Sequence, residues 1–506
     1  MGVIVLSKDS GRANLVRSLG LVGILALALD NVIGGGINYI SVQIEGKVPG
    51  IGTYVPLVML IGGIIAFFIS MNYSYLGSAM PRAGGEYIWV SRGWNGLFGF
   101  LSSFSFWVAE ATAAGAIAFI DPKFFGTAFD QVGLTSAGTW IDSTIGTLII
   151  GLAIIWLIWL FHIISVRTVG WASIILMIMM FAGGFFIVLY GFIGNPHDYA
   201  SILKTNGINM QKYIALSKKT IPSSSISAIP KALFLLFFAF VGFTAMSQAS
   251  GETKKPKKTL LIAFPLAIGI ITTYFILYAL AVFHTVPWRY VAGQMIAGHA
   301  SLINGPALLG YMMPTGLAMF VTLMVAAALF NDLPPITQAL TRLFYSWGVD
   351  GILPKSLGRV NKRGVPATSI TINTIIITIF FLLTVWFGWA NEISVTVAAA
   401  MFMYITVGIA SLAFSKHAPK LEKESSMHKN IFVIISAIIT ILASSWLFIQ
   451  GIISNIHEAW YLQSIIQWII SMGIALIIYY YGAKNVKANE GISLNTKFKE
   501  LPLEEE

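Results

Sequence analysis

Three acids stand inside strongly apolar sequence: Asp30 in "ALALDNVIGGGINYI", Glu110 in "FWVAEATAAGA" and Asp332 in "LFNDLPPIT". A carboxylate in a bilayer costs about 2.5–3.5 kcal/mol on insertion scales, so each is expected to face a protein interior or a watery cavity. There it can hold a proton, a cation or the positive group of a ligand; a protonated, hydrogen-bonded structural acid is the alternative for each. Directly after Asp30 come Gly34, Gly35 and Gly36, each costing a helix about 1 kcal/mol relative to alanine. Asp30 lies four residues before Gly34, on the same helix face. Unwinding there frees backbone amides and carbonyls, and the missing side chains let a ligand touch them. A carboxylate suits the freed amides at the start of the second half-helix, and an ammonium suits the freed carbonyls. Close helix packing through small residues is the competing reading, but it uses spaced glycines rather than three in a row.

Other chemistry has no residues to carry it. With no cysteine there is neither a disulfide nor a thiolate metal site. The seven histidines are scattered, without a His-x-x-x-His pair, and no Gly-x-Ser-x-Gly nucleophile motif occurs. No enzyme activity, metal or cofactor is expected.

The elements that must position these residues are membrane spans. Of 506 residues 57% are hydrophobic and only 10% charged, with a mean hydropathy of +0.80; a soluble domain carries about 25% charged residues. The class is therefore an all-α polytopic membrane protein. Apolar runs of crossing length lie near 18–44, 54–78, 95–120, 143–164, 168–193, 230–251, 259–284, 307–347, 366–388, 392–414, 430–453 and 460–482, about 12 transmembrane helices. Most of the 31 Lys and Arg fall in alternate connections, which puts both termini in the cytoplasm. The net charge of +10 then reports orientation, and no nucleic acid partner is expected. The polar start up to Arg17 has no cleavage site after the first apolar run, so that run reads as a retained span. "KKPKK", Lys254 to Lys258, reads as a cytoplasmic anchor, with lipid phosphates as the alternative ligand.

Five spans after the first break, span 6 ("KALFLLFFAFVGFTAMSQASGETKKPKKTL") reaches Gly242 about ten residues from its outer end. An offset of five gives two repeats of opposite orientation. Interrupted helices at corresponding positions of inverted repeats point to a transport site near the midplane. The expected organisation is a cytoplasmic N-terminus (1–17), a first repeat (18–193) and an extracellular loop capping the outer face (194–229). A second repeat (230–414), two further spans (430–482) and a cytoplasmic tail (483–506) follow.

Four stretches carry a family resemblance: "NVIGGGI", "MPRAGGEYIWVSRGWNGLFGF", "FFAFVGFTAMSQASGETKKPKKTL" and "TRLFYSWGVDGILPKSLGRVNKRGVP". In that order they resemble the span-1 glycine motif, the Pro-x-x-Gly-Gly-x-Tyr loop, span 6 with its following loop, and the span 8–9 loop of the amino acid–polyamine–organocation superfamily of transporters. The resemblance implies a LeuT-type fold: a 5+5 inverted repeat with broken helices 1 and 6, and two peripheral helices, spans 11 and 12. It implies that a substrate carboxylate meets the amides of Gly35, Gly36 and Ile37, beside Gly34. The substrate's amine would meet carbonyls of Val32, Ile33, Phe238 and Val241, with Asn31 lining the cavity and Phe238 as an aromatic gate. Where many relatives carry glutamate after the span-6 glycine, this chain has Gly242-Phe243-Thr244, and span 5 has no lysine, with Met180 near the position some relatives give one. Those departures bear on coupling and leave the fold untouched.

In that fold the midsections of helices 1 and 8 face each other, which makes Asp30 and Asp332 the candidates for a coupling H⁺ or Na⁺. In similar transporters this part of span 3 borders the pocket for the substrate's side chain, which implies that Glu110, among Ala109, Ala111, Ala113, Ala114 and Gly115, favours a cationic amino acid or amine; a neutral amino acid is the alternative. The expected function is secondary active uptake or exchange of amino acids across the plasma membrane by alternating access. The expected partners are the small-molecule amino acid and the lipid bilayer, with a homodimer left open. A membrane-embedded sensor and an ion channel are the rivals from other classes. The tail is short for an output domain, and no repeated pore motif is evident.

Overall fold

Hydropathy makes the long helices, while glycine, proline and asparagine decide where they start, bend and stop. The computed structural model describes residues 19–34, 36–164, 166–221, 223–300, 303–361 and 365–501, with the backbone alone at 166–173 and 389–392. Among the described residues ten helices are long and apolar enough to cross a membrane. They are span 2 (Gly52–Ala79), span 3 (Gly96–Gln131), span 4 (Thr144–Ile164), span 5 (Ile174–Ile193) and span 7 (Pro256–Thr285). Span 8 (Thr315–Asp350), span 9 (Ala367–Phe387), span 10 (Ile393–His417), span 11 (Ile431–Asn455) and span 12 (Ser464–Glu490) complete them. Span 6 is a bent pair, Ile226–Leu236 and Phe238–Gln248, meeting at 42°. No β-strand occurs among the described residues.

The first apolar run is not one helix. Leu21–Asp30 stops at a turn over residues 31–34, a wide π-type turn follows at Gly36–Ile40, and Ser41–Lys47 resumes the α-helix. With the bent pair taken as one span, eleven crossings among the described residues qualify by length and composition, and the first of the twelve expected runs is two short helices around a break.

Two other expectations change in detail. Span 3 continues to Gln131, well past residue 120, with Pro122 inside the helix. Span 8 starts at Thr315 rather than 307, because Gly305–Gly310 forms its own short helix. Pro334 and Pro335 do not break span 8, which stays helical to Asp350. The two prolines deprive the Phe330 and Asn331 carbonyls of their intrahelical donors; separately, His162 Nε2 of span 4 lies 3.2 Å from the Pro334 carbonyl.

Burial sorts the spans into centre and rim. The most apolar stretch of span 3 is 94% buried, against 17% for span 12. Spans 8 and 10 pack along span 3, and span 2 runs along span 7. Isoleucines such as Ile149, Ile178, Ile438 and Ile477 stay exposed on the outer spans, as a lipid-facing rim requires.

The connections that carry most of the lysines and arginines lie on one face, here called the basic face. Between spans 2 and 3 it holds a helix, Gly85–Gly93, entered through Gly84 and Gly85 at φ +96° and +38°. Those left-handed angles favour glycine. A Cβ at either would also come within 2.9 Å of a serine, Ser346 of span 8 or Ser247 of span 6, so the helix is pressed against both spans. Two buried ion pairs close this face: Arg92–Asp350 and Arg342–Glu252, each at 2.8 Å. Tyr87 bonds the same Asp350, and Lys497 Nζ donates to its backbone carbonyl at 3.0 Å. The C-terminal segment returns here too. Phe498 is 5% exposed, and its ring lies 5.0 Å from the Arg92 guanidinium. Leu19 joins the span-6 end by backbone bonds to Glu252 and Lys254 at 3.0 and 2.7 Å. On the opposite face, helices Pro196–Thr205, Met210–Thr220 and Trp288–Ile296 lie across the connections.

Candidate functional site

The two helix breaks touch. A Cβ on Gly36 would stand 3.0 Å from both Cα and Cβ of Ala239. One on Gly242 would run into the Asn31 carbonyl oxygen and come within 2.8 Å of the Asn31 side-chain amide. Glycine at these positions thus lets two backbones meet, a distance no other residue allows.

Asn31 is the joint. Its Nδ2 donates to the Gly242 carbonyl at 2.9 Å and to Glu110 Oε2 at 3.2 Å, so spans 1, 3 and 6 converge on one amide. Around it Val32, Ile33, Gly34, Gly36, Ile37, Val241 and Thr244 are buried, while Phe238 is half-buried. Gly35 lies outside the described residues. Several carbonyls freed by the breaks already have donors. Gly34 O accepts from Asn38 Nδ2 at 3.0 Å, and Val241 O accepts from Tyr404 OH at 3.1 Å and Thr244 Oγ1 at 3.3 Å. The Asn38 backbone N–H also donates to Gly34 O at 3.3 Å, so both carbonyls already meet two donors, and a ligand ammonium at Val241 must displace one of them.

The three acids fall into two groups. Glu110 is 2% exposed; Oε2 meets Asn31, and Oε1 has no hydrogen-bond partner among the described residues. Asp30 is fully buried, with the Asn331 side chain of span 8 beside its carboxyl. The next residue of span 8, Asp332, packs its carboxylate on Gly34 so closely that a Cβ there would collide with it. Span 8 therefore lines the first break from Asp30 to Gly34 through consecutive residues. Among the described residues no cluster of three or more His, Cys, Asp or Glu could hold a metal ion.

Sequence reading missed several groups. Tyr73 and Tyr404 are fully buried, with ring centroids 6.3 Å apart beside the span-6 break. Asp121 is a further fully buried acid within a spanning helix, one residue past the expected end of span 3 at 120. Glu86 is fully buried in the loop helix; its one signal was the Gly-Gly pair before it. An apolar cavity of about 320 Å³ between spans 3, 8, 9 and 12, lined by Phe104, Trp107, Phe344 and Trp347 among others, contains none of the expected site residues.

Comparison with known proteins agrees with this architecture. Residues 19–474 match the family model described as Amino acid permease. The chain is 26% identical over 402 residues to the branched-chain amino acid permease of Lactococcus lactis subsp. cremoris, covering 77% of this chain and 80% of that one. It is 21% identical over 448 residues to an arginine/ornithine antiporter of the same bacterium, covering 86% and 81%. Against cationic amino acid transporter 4 of Homo sapiens it is 21% identical over 429 residues, covering 82% of this chain and 62% of that longer protein.

Proposed function

The chain belongs to the amino acid permease family, and from that premise we propose that it carries amino acids across the plasma membrane by alternating access, with both termini in the cytoplasm. The substrate's α-carboxylate sits at the amides of Gly35, Gly36 and Ile37, near the start of the second half of span 1. Its α-ammonium sits at the carbonyls of Val32, Ile33, Phe238 and Val241, and the Phe238 ring covers it. The observation that supports this most is the Asn31 amide, bonded at once to the Gly242 carbonyl and to Glu110, because it makes the two breaks and span 3 a single site. Asp30 of span 1 and Asp332 of span 8 border the same break and hold the coupling H⁺ or Na⁺.

For the side chain, the free oxygen of Glu110 favours a cationic amino acid or amine. The names of the human transporter and of the arginine/ornithine antiporter support that reading. A neutral branched-chain substrate is the second reading, supported by the 26% identical relative and by the alanines on either side of Glu110. Ligand-dependent thermal shift across the amino acids and simple polyamines tests both. Under the first reading lysine or arginine stabilises the wild type, and Glu110→Gln weakens that binding by about 1.5–3 kcal/mol, roughly 10- to 150-fold in Kd. Stabilisation by leucine, isoleucine or valine alone favours the second reading. No response to any amino acid refutes the proposal.

A further inference from the structure

Among the buried acids of the basic face, Glu86 stands apart. Asp350 holds the guanidinium of Arg92, and Glu252 holds that of Arg342. Glu86 is fully buried yet bonds only neutral donors among the described residues: Ser247 Oγ to Oε1 at 2.9 Å, and Gln248 Nε2 to Oε2. The Tyr73 hydroxyl of span 2 approaches the same carboxyl. A buried carboxylate without a counter-charge is costly, and accepting a proton removes that cost. An acceptor for that proton is also in place. Gln248 Oε1 is buried and has no hydrogen-bond partner among the described residues, and a flip of the amide turns it towards Glu86.

This acid is connected to the span-6 break. Tyr73 approaches Thr244 as well as Glu86, Thr244 faces Tyr404, and the Tyr404 hydroxyl donates to the Val241 carbonyl at 3.1 Å. Ser247 and Gln248 belong to the half of span 6 on the basic face, so Glu86 grips the segment that follows the break. From span 3, Glu110 is near enough for the two carboxylates to repel one another.

We infer that Glu86 is a proton-binding site of the transport cycle, joined to the span-6 break through Thr244 and Tyr73 and released of its proton when a cationic substrate occupies Glu110. The step moves one proton: the carboxylic acid of Glu86 becomes a carboxylate, and the proton leaves to water at the basic face. Among the described residues the titratable groups facing Glu86 are Tyr73, Tyr404 and Glu110, while Arg92 and Arg342 are committed to their own acids. Burial pushes the Glu86 carboxyl up to about 7, so it changes charge within the physiological range. The positive charge of a side chain at Glu110 favours the carboxylate form of Glu86 and drives the proton off. This inference rests on the transport reading, and its first test does not require a substrate.

Infrared difference spectroscopy of the purified protein, titrated from pH 5 to 9, should show a protonated-carboxyl band with a midpoint near neutrality that Glu86→Gln removes. Should that variant fail to fold, Glu86→Asp keeps an acid one methylene shorter and should shift the midpoint. An unchanged band in Glu86→Gln, or an unmoved midpoint in Glu86→Asp, overturns the inference. The second test adds lysine or arginine to protein in dilute buffer with a pH indicator at pH 7. The wild type should release up to one proton per ligand bound, and Glu86→Gln should release less than half as much. Equal release from both overturns the inference and leaves the transport reading standing. A Glu86 that titrates normally in a protein that binds no amino acid overturns the transport reading instead.

Discussion

Replacing Gly242 with alanine puts a methyl carbon on top of the Asn31 carbonyl oxygen and within 2.8 Å of its side-chain amide. The obstacle is backbone, so it cannot swing aside as the tip of a flexible side chain would. Relief requires the two breaks to separate, which lengthens the 2.9 Å bond from Asn31 to the Gly242 carbonyl and the 3.2 Å bond to Glu110. Overpacking of this kind costs about 1–3 kcal/mol. Stripping a buried carboxylate of its donor costs about 1–3 kcal/mol more. Strain and lost bonds overlap, so the expected penalty on the site is about 2–4 kcal/mol, or roughly 30- to 1000-fold in ligand affinity. The control is Gly269→Ala in span 7, where an added Cβ meets nothing within 4 Å. Both variants should elute as monodisperse protein in detergent, and ligand titrations followed by thermal shift should separate them. Gly269→Ala should bind as the wild type does. Wild-type affinity in Gly242→Ala would refute the reasoning, because it would mean that the contact between the breaks is incidental to the site.

Other substitutions probe other parts of the account. Asp30→Asn should abolish the dependence of flux on a sodium or proton gradient in proteoliposomes; retained dependence would make Asp30 structural. Arg342→Met leaves Glu252 buried without its partner and should lower stability by about 3–5 kcal/mol, with much of that recovered in the Arg342→Met, Glu252→Leu double variant. Additive losses in unfolding experiments would contradict the pairing. Phe498→Ala removes the ring that covers Arg92 and Gly96, so limited proteolysis should cut the C-terminal segment several-fold faster. An unchanged cleavage rate would show that the segment docks without it.

Much of this was readable from residue order. The long helices follow from runs of apolar residues, because the bilayer accepts little else. The first break was legible because three glycines and an acid violate the surrounding pattern together. The consequences of contact were not. Asn31 is a single short amide in sequence, and only folding shows that it reaches both Gly242 and Glu110, 211 and 79 residues away. Glu86 lies in a stretch with enough polar residues to pass for a solvated loop, although packing against Ser247 and Gln248 buries it completely. Pro334 and Pro335 weaken a helix on their own chemistry, yet span 8 stays helical through them to Asp350, with most of its residues around them buried. Phe498 looked like part of a charged tail until its docking against Gly96 and Arg92 was visible.

A single site at the touching breaks of spans 1 and 6 that binds an amino acid and opens alternately to the two sides should support counterflow. Proteoliposomes loaded with an unlabelled amino acid that stabilises the protein are diluted into a trace of the same amino acid carrying a radiolabel. Label should accumulate transiently above its external concentration, dependent on the internal load, and this accumulation should be lost in Gly242→Ala. Entry of label at a rate indifferent to the internal load, or binding without any entry, would contradict alternating exposure of one site.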